Sequence, residues 1–180
     1  PWQDNHEWLV HSTDPMIGVS TIAYRVQLMA DQIMEVFGRI PENLADFALA
    51  SQIVQAEAKK FFVEIFRQQK WRTSGILWWN MVDGWPQFSD AVVDYYLSRK
   101  LAYHYLKRVH TPLCLILGEP ENWNCTVFAC NDSLVEHRGT YTIQDADTGQ
   151  TVLTGEVIVG ANDKSILGRI RAPRGVQRLL

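Results

Sequence analysis

No stretch of this 180-residue chain approaches the roughly 18–20 consecutive apolar residues of a membrane-spanning helix. Its most apolar run, Leu113 to Leu117, has the length of a buried strand, so no membrane partner is expected. Basic clusters are missing too. The formal net charge is −3, and without a basic run or a basic helical face nucleic acid is not expected either. Cysteine is scarce: Cys114, Cys125 and Cys130 are an odd set with no Cys-x-x-Cys spacing. They cannot pair completely and read as free thiols in half-buried strands, which favours a reducing, cytoplasmic setting. The histidines His6, His11, His104, His110 and His137 are scattered, with no His-Glu-x-x-His pattern, so no metal and no cofactor is expected. An initiator Met, a charged leader and a signal-peptide core are also lacking. The polar, Trp-rich start at Pro1 and the apolar finish at Leu179-Leu180 read as cut ends.

Tryptophan, by contrast, is plentiful. Of seven in the chain, Trp78, Trp79 and Trp85 fall within one short stretch. Flat aromatic rings fill cores, and they also stack on the apolar C–H faces of sugars. The chain is 47% hydrophobic and 21% charged, enough to bury a core and too little charge for a disordered one.

Periodicity divides the chain in two. Residues 1–19 have no period and read as loop. From a candidate N-cap at Ser20, Ile22, Val26, Met29, Ile33, Val36 and Phe37 recur at helical spacing until Gly38 and Pro41. Asn43 opens a longer helix, with Asp46 in the capping-box position. Its expected apolar stripe is Phe47, Ala50, Val54, Ala58, Phe61, Phe62, Ile65 and Phe66, and its expected solvent face holds Glu57, Lys59, Lys60, Glu64, Arg67 and Gln68. The run 76–81 is apolar throughout, as in a parallel strand covered on both faces. A loop follows, then a short helix capped by Ser98 and stopped by Pro112. Beyond it come strand-like segments at Leu113–Leu117, Asn124–Cys130, Thr140–Asp145, Thr151–Val159 and Ser165–Ile170, separated by turn formers. The expected fold class is therefore α/β over 1–111 and all-β over 112–180, the latter an antiparallel sandwich short of the roughly seven strands of a full immunoglobulin-like domain.

Three segments carry a resemblance. They are Ser74-Gly75-Ile76-Leu77-Trp78-Trp79-Asn80-Met81-Val82-Asp83-Gly84-Trp85-Pro86, then Asp94-Tyr95-Tyr96, and then Lys100 to Arg108. With Gln55-Ala56-Glu57-Ala58-Lys59 upstream, this order is similar to glycoside hydrolase family 2, and to its β-mannosidase-like branch. The likeness covers 43–112 well, 1–42 loosely, and 113–180 as architecture. The chain departs from the family pattern at Asn80, where Gln is usual, and at Val82, where Asn is usual.

The resemblance implies the C-terminal part of a TIM (β/α)8 barrel followed by a partial immunoglobulin-like β-sandwich. It implies a retaining exo-β-glycosidase acting on terminal β-linked sugars with two glutamates. The family's Asn-Glu and Ser-Glu-x-Gly motifs do not occur in this chain, so no catalytic acid or nucleophile is assigned here. The implied substrate-binding residues are Trp79 (a platform under the sugar), Asn80, Asp83 and Trp85. Asp83 suits either a sugar hydroxyl or a loop brace, and Trp85 either sugar contact or a loop rim. Trp78 should turn the other way and pack. Asp90 and Asp94 read as caps or ion pairs. The expected partners are a carbohydrate substrate and the rest of the parent polypeptide, with self-association through an uncovered strand edge. Two other readings stay open: β-galactosidase, β-glucuronidase or exo-glucosaminidase specificity, and a non-catalytic carbohydrate-binding module.

Overall fold

The computed structural model describes His11 and residues 24–172. The expected cap at Ser20 and the finish at Leu179-Leu180 lie outside them. Three helices, α1 (Tyr24–Phe37), α2 (Leu44–Gln68) and α3 (Leu101–Val109), precede five strands. These are β1 (Leu113–Leu117), β2 (Asn124–Asn131), β3 (His137–Gln144), β4 (Thr151–Val159) and β5 (Lys164–Arg171). The chain falls into two compact units, Pro1–Phe62 with Leu77–Lys107, and Val63–Ile76 with Arg108–Leu180. The division is not one cut at 111/112: α2 contributes to the first unit up to Phe62 and to the second from Val63.

In the first unit the helix ends follow local chemistry. Gly38 has φ 69°, and its N–H donates to the Met34 carbonyl at 2.8 Å, closing α1 in the left-handed conformation that glycine adopts at low cost. The Asp46 N–H donates to Asn43 Oδ1 at 2.9 Å, which caps α2. The Asp46 carboxylate accepts from the Asn43 side-chain amide at 2.7 Å. One methylene shorter than glutamate, it makes this bond in place of the capping box's bond to the backbone N–H. Ala30 and Ile33 of α1 pack on Phe47 and Ala50 of α2, with Met29, Ile40, Val54 and Phe88 around them.

Three expectations are corrected here. Ala58, Phe61 and Phe62 are exposed, whereas Ala56 and Val63 are buried, so the inward face of α2 is rotated from the expected stripe. Residues 76–81 form no strand, and Leu77 is fully exposed. A parallel strand takes its hydrogen bonds from neighbours far away in sequence, and among the described residues no strand precedes Leu113. Ser98 does not cap α3: its N–H donates to Asp94 Oδ1 at 2.8 Å, and the first N–H of α3, on Leu101, is capped by Gln52 Oε1 of α2 at 2.9 Å. Asp94 therefore closes the turn at residues 95–97 and caps no helix.

The five strands of the second unit pair antiparallel. One sheet has the order β1-β2-β5 and the other pairs β3 with β4. Cys125, Val127 and Ala129 of β2 meet Ile170 of β5, Tyr141 and Ile143 of β3, and Val157 and Val159 of β4 in one apolar core. Alternate residues of β2 point into it, the period of two expected of a half-covered sheet. The described strands match the sequence segments closely, β3 alone starting three residues early.

Two buried polar residues hold the loops of this unit. Asn131 is wholly buried: its Nδ2 donates to the Val135 and Gly160 carbonyls at 2.7 and 2.8 Å, and its Oδ1 accepts from the N–H and hydroxyl of Ser133. Arg67, expected on the solvent face of α2, is also buried. Its guanidinium donates to the carbonyls of Val109, Thr111 (2.9 Å), Pro112 (2.9 Å) and Cys130 (3.2 Å), and it pairs with Asp132 at 3.1 Å. The last turn of α2 is thereby fastened to the entry of β1 and the exit of β2. Lys70 adds to this knot through Asp132 and Asn162.

Candidate functional site

The sequence-selected residues lie on the irregular segment from Trp78 to Lys100 in the first unit. Two backbone hydrogen bonds give it shape: Val93 N–H to the Met81 carbonyl at 3.0 Å, and Asp83 N–H to the Val93 carbonyl at 3.1 Å. Residues on either side of the Gly84-Trp85-Pro86 loop are thus drawn together, while Ala91, Val92 and Val93 bury their side chains beneath.

Asp83 is 3% exposed. Its Oδ2 accepts from Lys100 Nζ at 3.1 Å, and its Oδ1 from Gln87 Nε2 at 3.1 Å and from the Ser89 hydroxyl. Lys100 also donates to the Ser89 carbonyl at 3.2 Å. A buried carboxylate needs such donors to offset lost hydration, and here every one comes from its own loop or from the residue just before α3. The geometry is that of a loop brace.

Trp85 joins the same network from the outside. Its Nε1 donates to Gln87 Oε1 at 2.9 Å, and its ring lies 5.6 Å from that of His11, tilted by 31°. The His11 carbonyl accepts the Phe88 N–H at 2.7 Å, and His11 Nδ1 is 2.7 Å from the Pro86 carbonyl. Trp85 remains 36% exposed.

Trp79 is 76% exposed, and its peptide bond to half-buried Asn80 is cis. Lys59 of α2 reaches it from below: Nζ donates to the Trp79 carbonyl at 3.0 Å and sits 4.9 Å from the centre of the Trp78 ring. Trp78 is half-buried against α2, so the two neighbouring rings have different surroundings. Burial pushes the Lys59 ammonium below its usual range, and Lys100 adds to that while Asp90 opposes it. The structure thus links Asp83 and Trp85 through Gln87, and supports Trp79 separately through Lys59. Lys59, Gln87, Ser89 and Lys100 were missed in the sequence. Lys100 lies 17 residues from Asp83 along the chain, a spacing that no helix or strand period marks.

Exposed aromatic faces beside a braced polar loop suit a ligand with both apolar faces and hydroxyls. The chain's relatives are glycoside hydrolases. No protein-family model matches it. It is 34% identical over 93 residues to β-mannosidase B of Aspergillus niger, covering 49% of this chain, and 34% identical over 91 residues to that of Emericella nidulans, covering 48%. Among solved structures it is similar to the β-D-mannosidase of Dictyoglomus thermophilum, with TM-score 0.74, 28% identity, and coverage of 85% of this chain and 19% of that one. The exo-chitosanase CsxA of Amycolatopsis orientalis shares the fold, with TM-score 0.65, 21% identity, and coverage of 82% and 18%. The matched stretch spans 11% of the length of the curated relatives. In sequence and in fold alike, the chain is thus similar to β-mannosidases.

Proposed function

We propose that this chain is part of a retaining exo-β-glycosidase, with terminal β-mannosides as the preferred substrate class. The observation that carries the reading is the 34% identity to a β-mannosidase over 93 residues, in a chain whose fold follows a β-D-mannosidase at TM-score 0.74. In this reading the first unit supplies the last part of a (β/α)8 barrel, and β1 to β5 form part of an immunoglobulin-like sandwich. Residues 76–81, irregular in this chain, become a barrel strand only when the rest of the parent polypeptide supplies partners. The full exposure of Leu77 in an apolar run supports that role.

Trp79 then forms the floor under the reacting sugar, with Asn80 and Trp85 at its hydroxyls. Asp83 holds the loop on which Trp85 stands. Two glutamates from elsewhere in the parent chain perform the chemistry. One protonates the leaving oxygen, and the other, about 5–5.5 Å away, attacks the anomeric carbon. An aromatic floor favours the flattened ring of the transition state over the ground-state chair, which makes it a rate device as well as a binding one.

The parent protein, assayed on nitrophenyl β-mannoside, β-galactoside, β-glucuronide and β-glucosaminide, is expected to turn over the mannoside best and with retention. The 180-residue piece alone is expected to cleave none of them. Preference for the glucosaminide would favour exo-glucosaminidase specificity, the second reading, to which the exo-chitosanase fold lends support. Failure on all four substrates, with sugar binding retained, would replace the enzyme reading by a carbohydrate-binding module.

A further inference from the structure

β1 and β2 set two thiols opposite each other. Cys114 and Cys130 are direct partners in the antiparallel register. The bonding pattern at both ends of this ladder fixes which kind of pair they are. Beyond one end the Asp132 N–H donates to the Pro112 carbonyl at 2.9 Å, and beyond the other the Gly118 N–H donates to the Thr126 carbonyl at 2.8 Å. Both pairs continue the register of the ladder, and hydrogen-bonded pairs alternate with non-bonded ones. Cys114↔Cys130, next but one from the first and two such steps from the second, is therefore a hydrogen-bonded pair. Residues in such a pair have Cα atoms about 5.5 Å apart, inside the range a disulfide spans. Their Cβ atoms lie about 4.5–5.5 Å apart, at or beyond the upper end of disulfide geometry. A bond closes only if the strands draw in locally, and that strain makes it easy to reduce.

We propose that Cys114 and Cys130 form a dithiol site that low-molecular-weight disulfides oxidise reversibly to a cross-strand disulfide. Both are free thiols here, Cys114 half-buried and Cys130 buried. The more open Cys114 thiolate attacks one sulfur of the small disulfide, and the first small thiolate leaves. The Cys130 thiolate then attacks the Cys114 sulfur of this mixed disulfide and expels the second small thiolate. The two protons of the cysteine thiols end on the two released thiols, so two thiols are oxidised and one disulfide is reduced. Cys125 stands on the opposite face of β2, in the apolar core, and takes no part.

The site adjoins the Arg67 knot. Cys130 Sγ lies 3.6 Å from the Arg67 carbonyl, and the Cys130 carbonyl accepts from the Arg67 guanidinium. Drawing Cys130 toward Cys114 therefore works against the fastening of α2 to the sheet. Burial pushes the Cys130 thiol up to about 11 and raises Cys114 as well, with Arg67 opposing in both cases. Oxidation is thus slow at neutral pH and faster in mildly alkaline solution.

The test treats the native chain with excess oxidised glutathione at mildly alkaline pH, then traps free thiols and maps peptides by mass spectrometry. The expected product has lost the mass of two hydrogens and carries one Cys114–Cys130 bridge, which dithiothreitol reverses. Cys125→Ser keeps the bridge, and Cys114→Ser loses it. A bridge to Cys125, a stable glutathione adduct on Cys114 without a bridge, or oxidation only after unfolding in urea would each overturn the proposal.

Discussion

The two units make their hydrogen bonds in different ways. In the β unit each of the five strands finds a partner inside the described chain, and each partner is set by register: β1 on β2, β2 on β5, β3 on β4. In the first unit the stretch 77–97 has backbone and aromatic surface but few regular bonds, and side chains supply the order. The lesson concerns where stability is stored. A ladder distributes it over many weak bonds, whereas the Trp78–Lys100 segment concentrates it in Asp83, Lys59 and Gln55, whose amide donates to the Asp90 carbonyl at 2.7 Å.

That contrast can be broken by single substitutions. The largest effect is expected at Arg67, because there, as at Asn131, the β unit also relies on a single side chain. Arg67→Ala removes the guanidinium from four carbonyls and from Asp132, of which Asp132 keeps Lys70 and the Pro112 carbonyl keeps the Asp132 N–H, and a loss of about 4 kcal/mol is expected. Urea unfolding followed by near-ultraviolet circular dichroism measures it, and a loss under about 1 kcal/mol would mean that water replaces the guanidinium freely. Asp83→Ala should come next, at about 3 kcal/mol, since it strands the Lys100 ammonium in a largely buried place. Hydrogen exchange should show opening confined to the Gly84–Lys100 loop. Equal opening across β1 to β5 would remove the distinction drawn between the units.

Trp79→Ala sharpens the comparison differently. With its ring so exposed, the substitution should change the stability of this chain by no more than about 0.5 kcal/mol. In the proposed parent glycosidase it should lower kcat/KM tenfold or more, from roughly 1.5–3 kcal/mol of lost aromatic contact. Unchanged kinetics would remove Trp79 from the subsite. The smallest effect concerns pH. Burial, and after it the Arg67 charge, hold His110 below its usual 6.5, with Asp132 opposing. The folded chain therefore resists a proton that the unfolded chain accepts, so stability should fall as pH drops through about 6.5. His110→Gln should flatten that part of the Tm–pH curve, and an unchanged slope would assign it to other groups.

What was legible in the sequence follows the same division. The five strands could be read because turn formers bound them and a half-covered strand shows its covered face at every second residue, even for β5, whose partner β2 is distant in sequence. The start of α2 could be read because Asn43 caps within one turn. The strand expected at 76–81 could not be resolved from composition, since an apolar run states what it needs covered but not whether partners are present. Arg67 was misjudged because helical phase assigned it to the polar face, while its long side chain reaches four carbonyls from there. In the site, Trp79, Asp83 and Trp85 stood out by type and order. Lys59, Gln87, Ser89 and Lys100 did not, because their roles come from loop closure rather than from any period.

Asn131 carries a consequence for the ageing of the molecule. Asparagine side chains hydrolyse slowly to aspartate, a change of one nitrogen for one oxygen that most surface positions tolerate. Here the nitrogen points at the carbonyls of Val135 and Gly160, at 2.7 and 2.8 Å. An oxygen in its place would set a negative charge against two oxygens with no water between, so the loops that meet at this point would have to part. While the β unit is closed, the same packing keeps that amide away from water. Old preparations of the protein should therefore accumulate damage at Asn131 only as fast as this corner opens, and each damaged molecule should then stay open.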